Sequence, residues 1–384
     1  MKKMILLTNS DLGIGAGNTA LIVRRAEELY RQKNIETICL IDCKNAHDTS
    51  LLKSDGVSFY GASSPKEILN IVSKNNPDYI TFYGFKILKY FKKILKLRSK
   101  GKISSQILYD MQACNEEKKE YNSDGIKGYI FYLLQKVLFK YVINRVDGCF
   151  VVSDELENYC KTYLKKDRMP VFYKVRCGIG EYLSPGTIIE NRKCYRQKYG
   201  ISPTAIVFVY SGFRSPWQKI NEIVDFFIKI DKAHSNCHFC FFCNLDSEFE
   251  KLIDSSFPKK NFTLAYLSKE EYIKSLCACD VGVILRDYNM TNRVAFPNKF
   301  SDYLCSGLLL ALNGALKEPL RILQKYDIDY IDTDIVNFEN YFSEIKKRNS
   351  DLTAFYENNN NVIINEILYE SMIKRISIGE DESC

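Results

Sequence analysis

Lys299, Asp302 and Ser306 follow Pro297 at positions i, i+3 and i+7. On a helix opened by that proline, the three share a face. The N–H groups of a first helical turn have no partner inside the helix and attract anions. A lysine beside them suits a diphosphate, and a carboxylate accepts two hydrogen bonds from a ribose diol. Phe300, Leu304 and Gly307 recur at i, i+4 and i+7 and are expected to face the core. The spacing reads as a nucleotide site. An ordinary surface salt pair on an amphipathic helix has the same spacing, and both readings stay open.

Such a face needs a scaffold of strands leading into it. The chain has 384 residues, enough for two domains. Its 46% hydrophobic and 26% charged residues are ordinary globular values, with a high aromatic content from 26 Tyr and 23 Phe. A net charge of +7 suits anionic ligands or an anionic membrane surface and does not demand nucleic acid. The 14 cysteines are scattered and no secretory signal opens the chain, so reduced thiols in a cytoplasmic protein are expected. No uncharged apolar run approaches the ~18 residues of a membrane span.

In chain order, residues 4–8 read as a buried strand, NSDLGIGAGN (9–18) as a Gly-rich loop, then come an amphipathic helix through Leu29 and a strand over Ile35–Asp42. A dinucleotide fold would set its first glycine directly after the strand. Here four residues intervene and Asn18 stands at the third glycine position, so Asp42 alone is weak support for NAD. The glycines either let backbone approach a ligand or form a plain tight loop. After a strand at 77–85, the segment 86–102, from Lys86 to Lys102, holds eight basic residues and no acid on an amphipathic pattern. It reads as a helix for an anionic membrane surface or as a solvated cationic helix packed on the sheet. The strand QILYD (106–110) ends in Asp110, at the carboxyl end where α/β sheets keep ligands; helix or turn capping is the other use of that acid. Residues 128–146 read as a core helix, with contact to lipid as the lesser reading of so long an apolar and aromatic run. The three glycines and one proline of RCGIGEYLSPG (176–186) mark a linker, and the pattern is irregular to about 200. A second α/β series follows: strands at 205–210, 237–243, 262–266 and 281–285, and helices at 220–230 and 268–278. A last helix at 362–376 is long enough to cross back to the first domain.

CHFCFFC (237–243) has zinc-like spacing, but it is continuously apolar, and alternation along a strand sends Cys237 and Cys240 to opposite faces. No metal is expected. The three histidines, His47, His234 and His238, lie away from the candidate loops, which disfavours a nucleophile–histidine pair. The chemistry is left to carboxylates, cations and backbone N–H groups.

Four segments together resemble the GT-B glycosyltransferases, specifically the family 4-like bacterial enzymes of surface polysaccharide assembly. YSGFRSPWQKINEIVDFF (210–227) is similar to the family's phosphate-binding loop and helix. AYLSKEEYIKSLCACDVGVILR (265–286) is similar to its base-binding turn, FPNKFSDYLCSG (296–307) to its donor-nucleotide helix, and ILYDMQACNEE (107–117) to the strand end and acidic loop of its acceptor-side domain. The resemblance implies an α/β GT-B fold, two Rossmann-like domains facing across a cleft. They would be an acceptor-side domain at 1–180 and a nucleotide-sugar domain at 190–361, with a C-terminal helix at 362–384 packing back on the first.

It also implies roles. Asp302 would grip the ribose hydroxyls, and Lys299 would neutralise phosphate or touch the sugar. Arg214, Gln218 and Lys219 would face the diphosphate. Tyr266, Leu267 and Ser268 would hold the base, Asn298 would join the donor site, and Gly15, Ala16 and Gly17 would let the first domain's loop meet sugar and acceptor. Asp110, Arg214, Lys219 and Lys299 are the expected catalytic set. The sequence departs from the family in three places. Val294 stands where the first motif glutamate belongs, leaving Arg286, Asp287 and Asn292 as polar replacements. Phe213 and Gln218 align with the usual arginine and lysine of the phosphate loop. The usual histidine near Asp110 is missing.

The implied reaction is retaining, metal-independent and cofactor-free. It would move a sugar from a UDP- or GDP-type donor to a glycan or lipid-linked hydroxyl acceptor at the inner membrane face. A GT-B fold sugar-nucleotide 2-epimerase and a noncatalytic sugar-nucleotide-binding protein share the donor features. A dehydrogenase is the distant alternative.

Overall fold

Parallel pairing joins all the strands of two separate sheets. A computed structural model of the protein describes residues 1–10, 17–42, 54–121, 124–179, 181–258, 261–335 and 337–379. The chain divides into two compact units, Met1–Gly180 with Tyr369–Cys384, and Glu181–Leu368.

The first unit runs β1 (Lys2–Thr8), α1 (Gly17–Lys33), β2 (Ile35–Asp42), β3 (Val57–Ala62), α2 (Pro65–Asn75) and β4 (Tyr79–Tyr83). It continues with α3 (Phe91–Ser99), β5 (Gln106–Met111), α4 (Glu117–Glu120), α5 (Gly125–Ile143), β6 (Gly148–Val151), α6 (Asp154–Lys161) and β7 (Val171–Lys174). Its sheet has the order β3-β2-β1-β4-β5-β6-β7. The central strands β1 and β4 are almost wholly buried, as their unbroken apolar runs require of a sheet covered on both faces.

Two expectations change here. The segment 86–102 is not one helix. A 3₁₀ turn, Lys86–Tyr90, leads into α3, and Ile87, Leu88, Tyr90, Phe91 and Ile94 are all buried, so its apolar side is committed to the core. The helix read mainly as a core helix, α5, buries only Tyr132, Gln135, Phe139, Val142 and Ile143 and leaves its outer apolar side exposed.

The second unit opens with α7 (Pro185–Lys198), a capped helix inside the stretch that reads as irregular to about 200; Ser184 accepts from the Thr187 N–H and Pro185 starts the first turn. Then come β8 (Ile206–Ser211), α8 (Ile220–Ala233), β9 (Cys237–Phe242), α9 (Ser247–Ser256), β10 (Phe262–Ala265), α10 (Lys269–Leu276) and β11 (Val281–Ile284). The unit ends with α11 (Met290–Arg293), α12 (Asn298–Cys305), β12 (Leu309–Leu312), α13 (Lys317–Lys325), β13 (Tyr330–Asp332), α14 (Phe338–Ser350) and α15 (Leu352–Val362). Its sheet order is β10-β9-β8-β11-β12-β13. Phe208, Phe227, Phe239, Phe241 and Phe257 interlock in its core with ring centroids about 5–6 Å apart. The CHFCFFC run is β9, every residue of the strand buried, with Cys237 and Cys243 facing this aromatic core and Cys240 set apart from it.

The buried Asp280 ties the helices to the sheet. It accepts from Arg192 (2.6 Å), Arg196 (2.8 Å), Arg348 (2.9 Å) and the Val207 N–H (2.8 Å). Burial alone would raise its pKa; the three guanidiniums outweigh that and hold it below the ordinary carboxylate value.

The chain returns to the first unit through a break. A single π-helical turn, Ile363–Ile367, follows α15, extended Leu368 ends it, and α16 (Tyr369–Lys374) packs on α1. The continuous helix expected over 362–376 is therefore three pieces.

Candidate functional site

In an open parallel sheet, the loops diverge where the strand order reverses, leaving a crevice at the strands' carboxyl ends. In the second unit that point lies between β8 and β11. The loop after β8 carries Gly212 to Lys219, and the loop after β11 carries Arg286, Asp287 and Asn292. Next comes α12, whose first turn carries Asn298 and Lys299. The sequence-derived candidates of this unit therefore lie at one end of one sheet, with the 266–268 turn at its edge strand β10 and the others at or beside the switch point.

Pro297 takes the N-cap position with extended ψ, and the helix starts at Asn298. Phe300 and Leu304 face the core as their spacing requires. Ser306 does not join Lys299 and Asp302: it is the C-cap and is fully buried, because the helix ends before a complete further turn. Lys299 is 7% exposed. Its Nζ donates to Gln218 Oε1 at 2.8 Å and sits 3.9 Å from the Tyr210 ring centroid. Burial pushes its pKa well below the ordinary lysine value, and the positive charge of Arg286 pushes it further. Gly212 lets the lysine lie there. Its φ is +97°, and an added Cβ would stand 3.0 Å from Lys299 Cε.

Asp302 sits one turn on, and Tyr272 donates to its Oδ2 at 3.3 Å. The phenol belongs to a chain of hydroxyls. Tyr303 OH accepts the Ser211 N–H at 3.0 Å and lies 3.0 Å from Ser211 Oγ, which lies 2.8 Å from Tyr272 OH. One ordering satisfies every group: Tyr303 donates to Ser211, Ser211 to Tyr272, and Tyr272 to Asp302. Burial and the Asp302 charge raise the Tyr272 pKa well above that of a free phenol, so it remains a donor. Tyr303 reaches Ser211 by crossing Gly282 on β11, where a Cβ would fall 2.2 Å from its ring. Ser211, Tyr272 and Tyr303 are not on the list of candidates read from the sequence. Tyr272 does lie inside the 265–286 segment, but nothing in its spacing points at Asp302.

The other cations are engaged differently. Arg214 pairs with Asp246, the N-cap of α9, and its guanidinium stacks 4.8 Å from the Phe249 ring centroid. Lys219, in the left-handed conformation at the N-cap of α8, pairs with Asp287 (2.7 Å) and Glu222 (3.0 Å). The Asp287 hydrogen bond foremost raises its pKa. Arg286 is buried; its Nη1 donates to the Leu285 carbonyl at 2.8 Å, and its own carbonyl accepts from Asn313 at 2.7 Å. Asn292 is buried and donates to the Asp287 carbonyl (3.1 Å) and Asn289 (2.9 Å), fixing the rebuilt loop in which Val294 is also buried. Beside this loop, Tyr288, Asn289, Met290, Arg293, Ala315 and Lys317 line a groove of about 270 Å³.

Tyr266 follows β10 and is 72% exposed; Leu267 is half-buried, and Ser268 caps α10 by accepting from the Glu271 N–H at 3.3 Å. They lie at the carboxyl end of the edge strand β10, with β9 and β8 between it and β11. In the first unit, Gly15 and Ala16 lie outside the described residues, and Gly17 begins α1. Asp42 pairs with Lys89 at 2.5 Å. Asp110 is fully buried against Arg25 and accepts from Gln112 at 2.5 Å, while Arg25 also donates to the Val175 carbonyl at 3.1 Å. In this structure its carboxylate ties Arg25 of α1 to β5, and Arg25 in turn ties α1 to the backbone just after β7.

No protein-family model and no curated protein matches the chain. Solved structures do. A sucrose-phosphate synthase from Thermosynechococcus elongatus aligns at 10% identity over 97% of this chain and 96% of that one, with a TM-score of 0.69. Anabaena HepE in complex with UDP-glucose aligns at 11% identity over 98% of each chain, TM-score 0.66. WaaG, a glycosyltransferase involved in lipopolysaccharide biosynthesis, aligns at 11% identity over 98% of this chain and 99% of that one, TM-score 0.65. The fold is GT-B: two parallel α/β units in one chain, matched along nearly its whole length.

Proposed function

We propose that this GT-B chain is a glycosyltransferase that moves a sugar from a nucleoside diphosphate sugar to a hydroxyl acceptor. The observation that carries the reading is Lys299. It is a buried ammonium at the start of α12, destabilised by burial and by Arg286, beside a carboxylate one turn away. Two like charges and a helix N-terminus at a switch point suit a dianionic diphosphate. The pyrophosphate would meet Lys299 and the first N–H groups of α12. Asp302, held by Tyr272, would accept both ribose hydroxyls. The groove along Tyr288, Arg293 and Lys317 would take the sugar.

As the bond to the sugar breaks, negative charge grows on the diphosphate. Lys299, Arg286 and the helix N–H groups stabilise it in a site of low polarity. Lys219 would add to this once its pairing with Asp287 and Glu222 shifts. Arg214 would have to leave Asp246 to take part. Retention of configuration, independence from metal, and a glycan or lipid-linked acceptor belong to the proposal on the strength of the family resemblance. So does a UDP donor, since UDP-glucose occupies Anabaena HepE.

A thermal-shift screen with UDP, GDP and other nucleotides, followed by turnover with the matching sugar donors, tests the reading. The expected result is a rise in melting temperature with one nucleotide and consumption of its sugar donor. Epimerised donor without transfer would replace the reading with an epimerase, and binding with no consumption of any donor would replace it with a binding protein. No response to any nucleotide removes it.

A further inference from the structure

Helix α5 of the first unit leaves large apolar side chains exposed. Ile126 is 81% exposed, Val137 71% and Leu134 63%, with Ile130 and Leu133 on the same stripe and Tyr129 and Phe131 at its borders. Residues 126, 130, 133, 134 and 137 recur at helical spacing, so they form one continuous band along the 19-residue helix. Scattered exposed apolar residues are ordinary; a contiguous band of this kind marks a surface that something covers.

Charge identifies what covers it. Lys127 and Lys136 flank the band and exposed Lys140 stands near its end, and α5 contains no acid. The neighbouring element is the 86–102 segment: Phe85 meets Phe131 at 6.4 Å between centroids, Phe91 meets Tyr141 at 6.1 Å, and Lys92 Nζ lies 5.2 Å from the Tyr141 ring centroid. That segment exposes Lys86, Lys89, Lys92, Lys93, Lys96, Lys100 and Lys102 and likewise holds no acid. Of its cations, Lys89 is paired with Asp42 and Arg98 with Asp147. The acids nearest α5 in sequence are Asp124, just before it, and Asp147, four residues after it, and Asp147 is already paired with Arg98. A second copy of this face would bring lysines against lysines, which opposes self-association.

We propose that α5 and the adjoining lysines form a docking face for an anionic lipid bilayer. The band would enter the boundary between headgroups and acyl chains, and the lysines of both elements would bind the headgroups. Among the described residues no helix is long and apolar enough to cross a membrane, so the helix lies on the surface. The buried apolar side of 86–102 cannot insert; its part is charge, and α5 supplies the apolar contact. This goes beyond the donor site and does not depend on it.

The test is co-sedimentation of the full chain with phosphatidylcholine vesicles with and without phosphatidylglycerol, at low and high salt. Binding should require phosphatidylglycerol and weaken with salt. Leu134→Glu with Val137→Glu, and separately Lys93→Glu with Lys96→Glu, should each lower partitioning at least about tenfold. Unchanged melting temperatures and nucleotide responses in solution would show that both variants fold. Absence of binding by the unaltered chain, or unchanged binding by the α5 variant, overturns the proposal. So does a dimer of the unaltered chain that Leu134→Glu dissociates, since a second copy then covers the band. Loss of nucleotide response in the unaltered chain would strike the proposed activity and leave this inference standing.

Discussion

Replacing Lys299 by Met keeps most of the side chain's length and removes the ammonium, and it should separate binding from stability. The mutation loses a hydrogen bond from a charged donor to Gln218, worth about 1.5–3 kcal/mol, and a cation–π contact with Tyr210 worth about 0.5–2 kcal/mol. Against this, it relieves an ammonium of its burial, an effective penalty of several kcal/mol. Gln218 is only half-buried and can turn to water. The opposing terms are of equal size, so the ligand-free protein should change by less than about 1 kcal/mol, a melting shift of no more than about 4 °C for a unit of this size. Nucleotide binding should behave otherwise. A charge-assisted hydrogen bond to phosphate is worth about 1.5–3 kcal/mol, or roughly ten- to a hundredfold in Kd. Differential scanning calorimetry without ligand and titration calorimetry with the nucleotide found in the screen measure the two quantities on the same preparation. A large fall in melting temperature with unchanged nucleotide affinity would refute the reasoning, since it would make Lys299 a structural cation.

The same lysine sets a pH dependence. Its pKa lies below the ordinary 10.5, so between the two values the unfolded chain binds more protons and stability rises with pH; Lys299→Met should flatten that rise in denaturant titrations. A bound diphosphate would raise the pKa again, so nucleotide binding should take up protons in that window, seen as a dependence of the calorimetric heat on buffer ionisation. Gly212→Ala should destabilise by about 1–2 kcal/mol through its positive φ, and weaken nucleotide binding by displacing Lys299, both read by the same two calorimetric assays. Asp280→Ala leaves three guanidiniums, two of them buried, without their shared carboxylate and should cost about 3–5 kcal/mol in urea unfolding. Tyr272→Phe leaves the chain from buried Ser211 to Asp302 one hydroxyl short and should cost about 1–3 kcal/mol in urea unfolding, while weakening binding of a ribonucleotide more than of its 2′-deoxy analogue; equal losses would detach Asp302 from the ribose.

What the sequence revealed was local. The start of α12, the core positions Phe300 and Leu304, and the two α/β series follow from spacing and from proline, because those signals act within a few residues. What it hid depends on partners distant along the chain. Asp110 reads as a ligand-facing strand end, yet Arg25, 85 residues away, neutralises it. An apolar and aromatic run such as α5 looks the same whether one side or all sides are covered. Short β3, with Ser58 and Gly61 among its six residues, lacks the apolar run that signals a strand. The cations around the second switch point make the same case. Arg214, Lys219 and Lys299 carry equal weight in a sequence reading, as three positive charges near a phosphate loop. Folding gives Arg214 and Lys219 carboxylate partners that would have to be displaced by a diphosphate. Lys299 instead receives a neutral amide and an aromatic face, with no carboxylate paired to it among the described residues. A buried cation whose direct partners are neutral, with the Asp302 carboxylate acting only through space, is stabilised in part, and an arriving anion would complete it. On the proposed reading, that asymmetry, set by Asp246, Asp287 and Glu222 rather than by the cations themselves, would place the anion's charge on Lys299 ahead of its two neighbours.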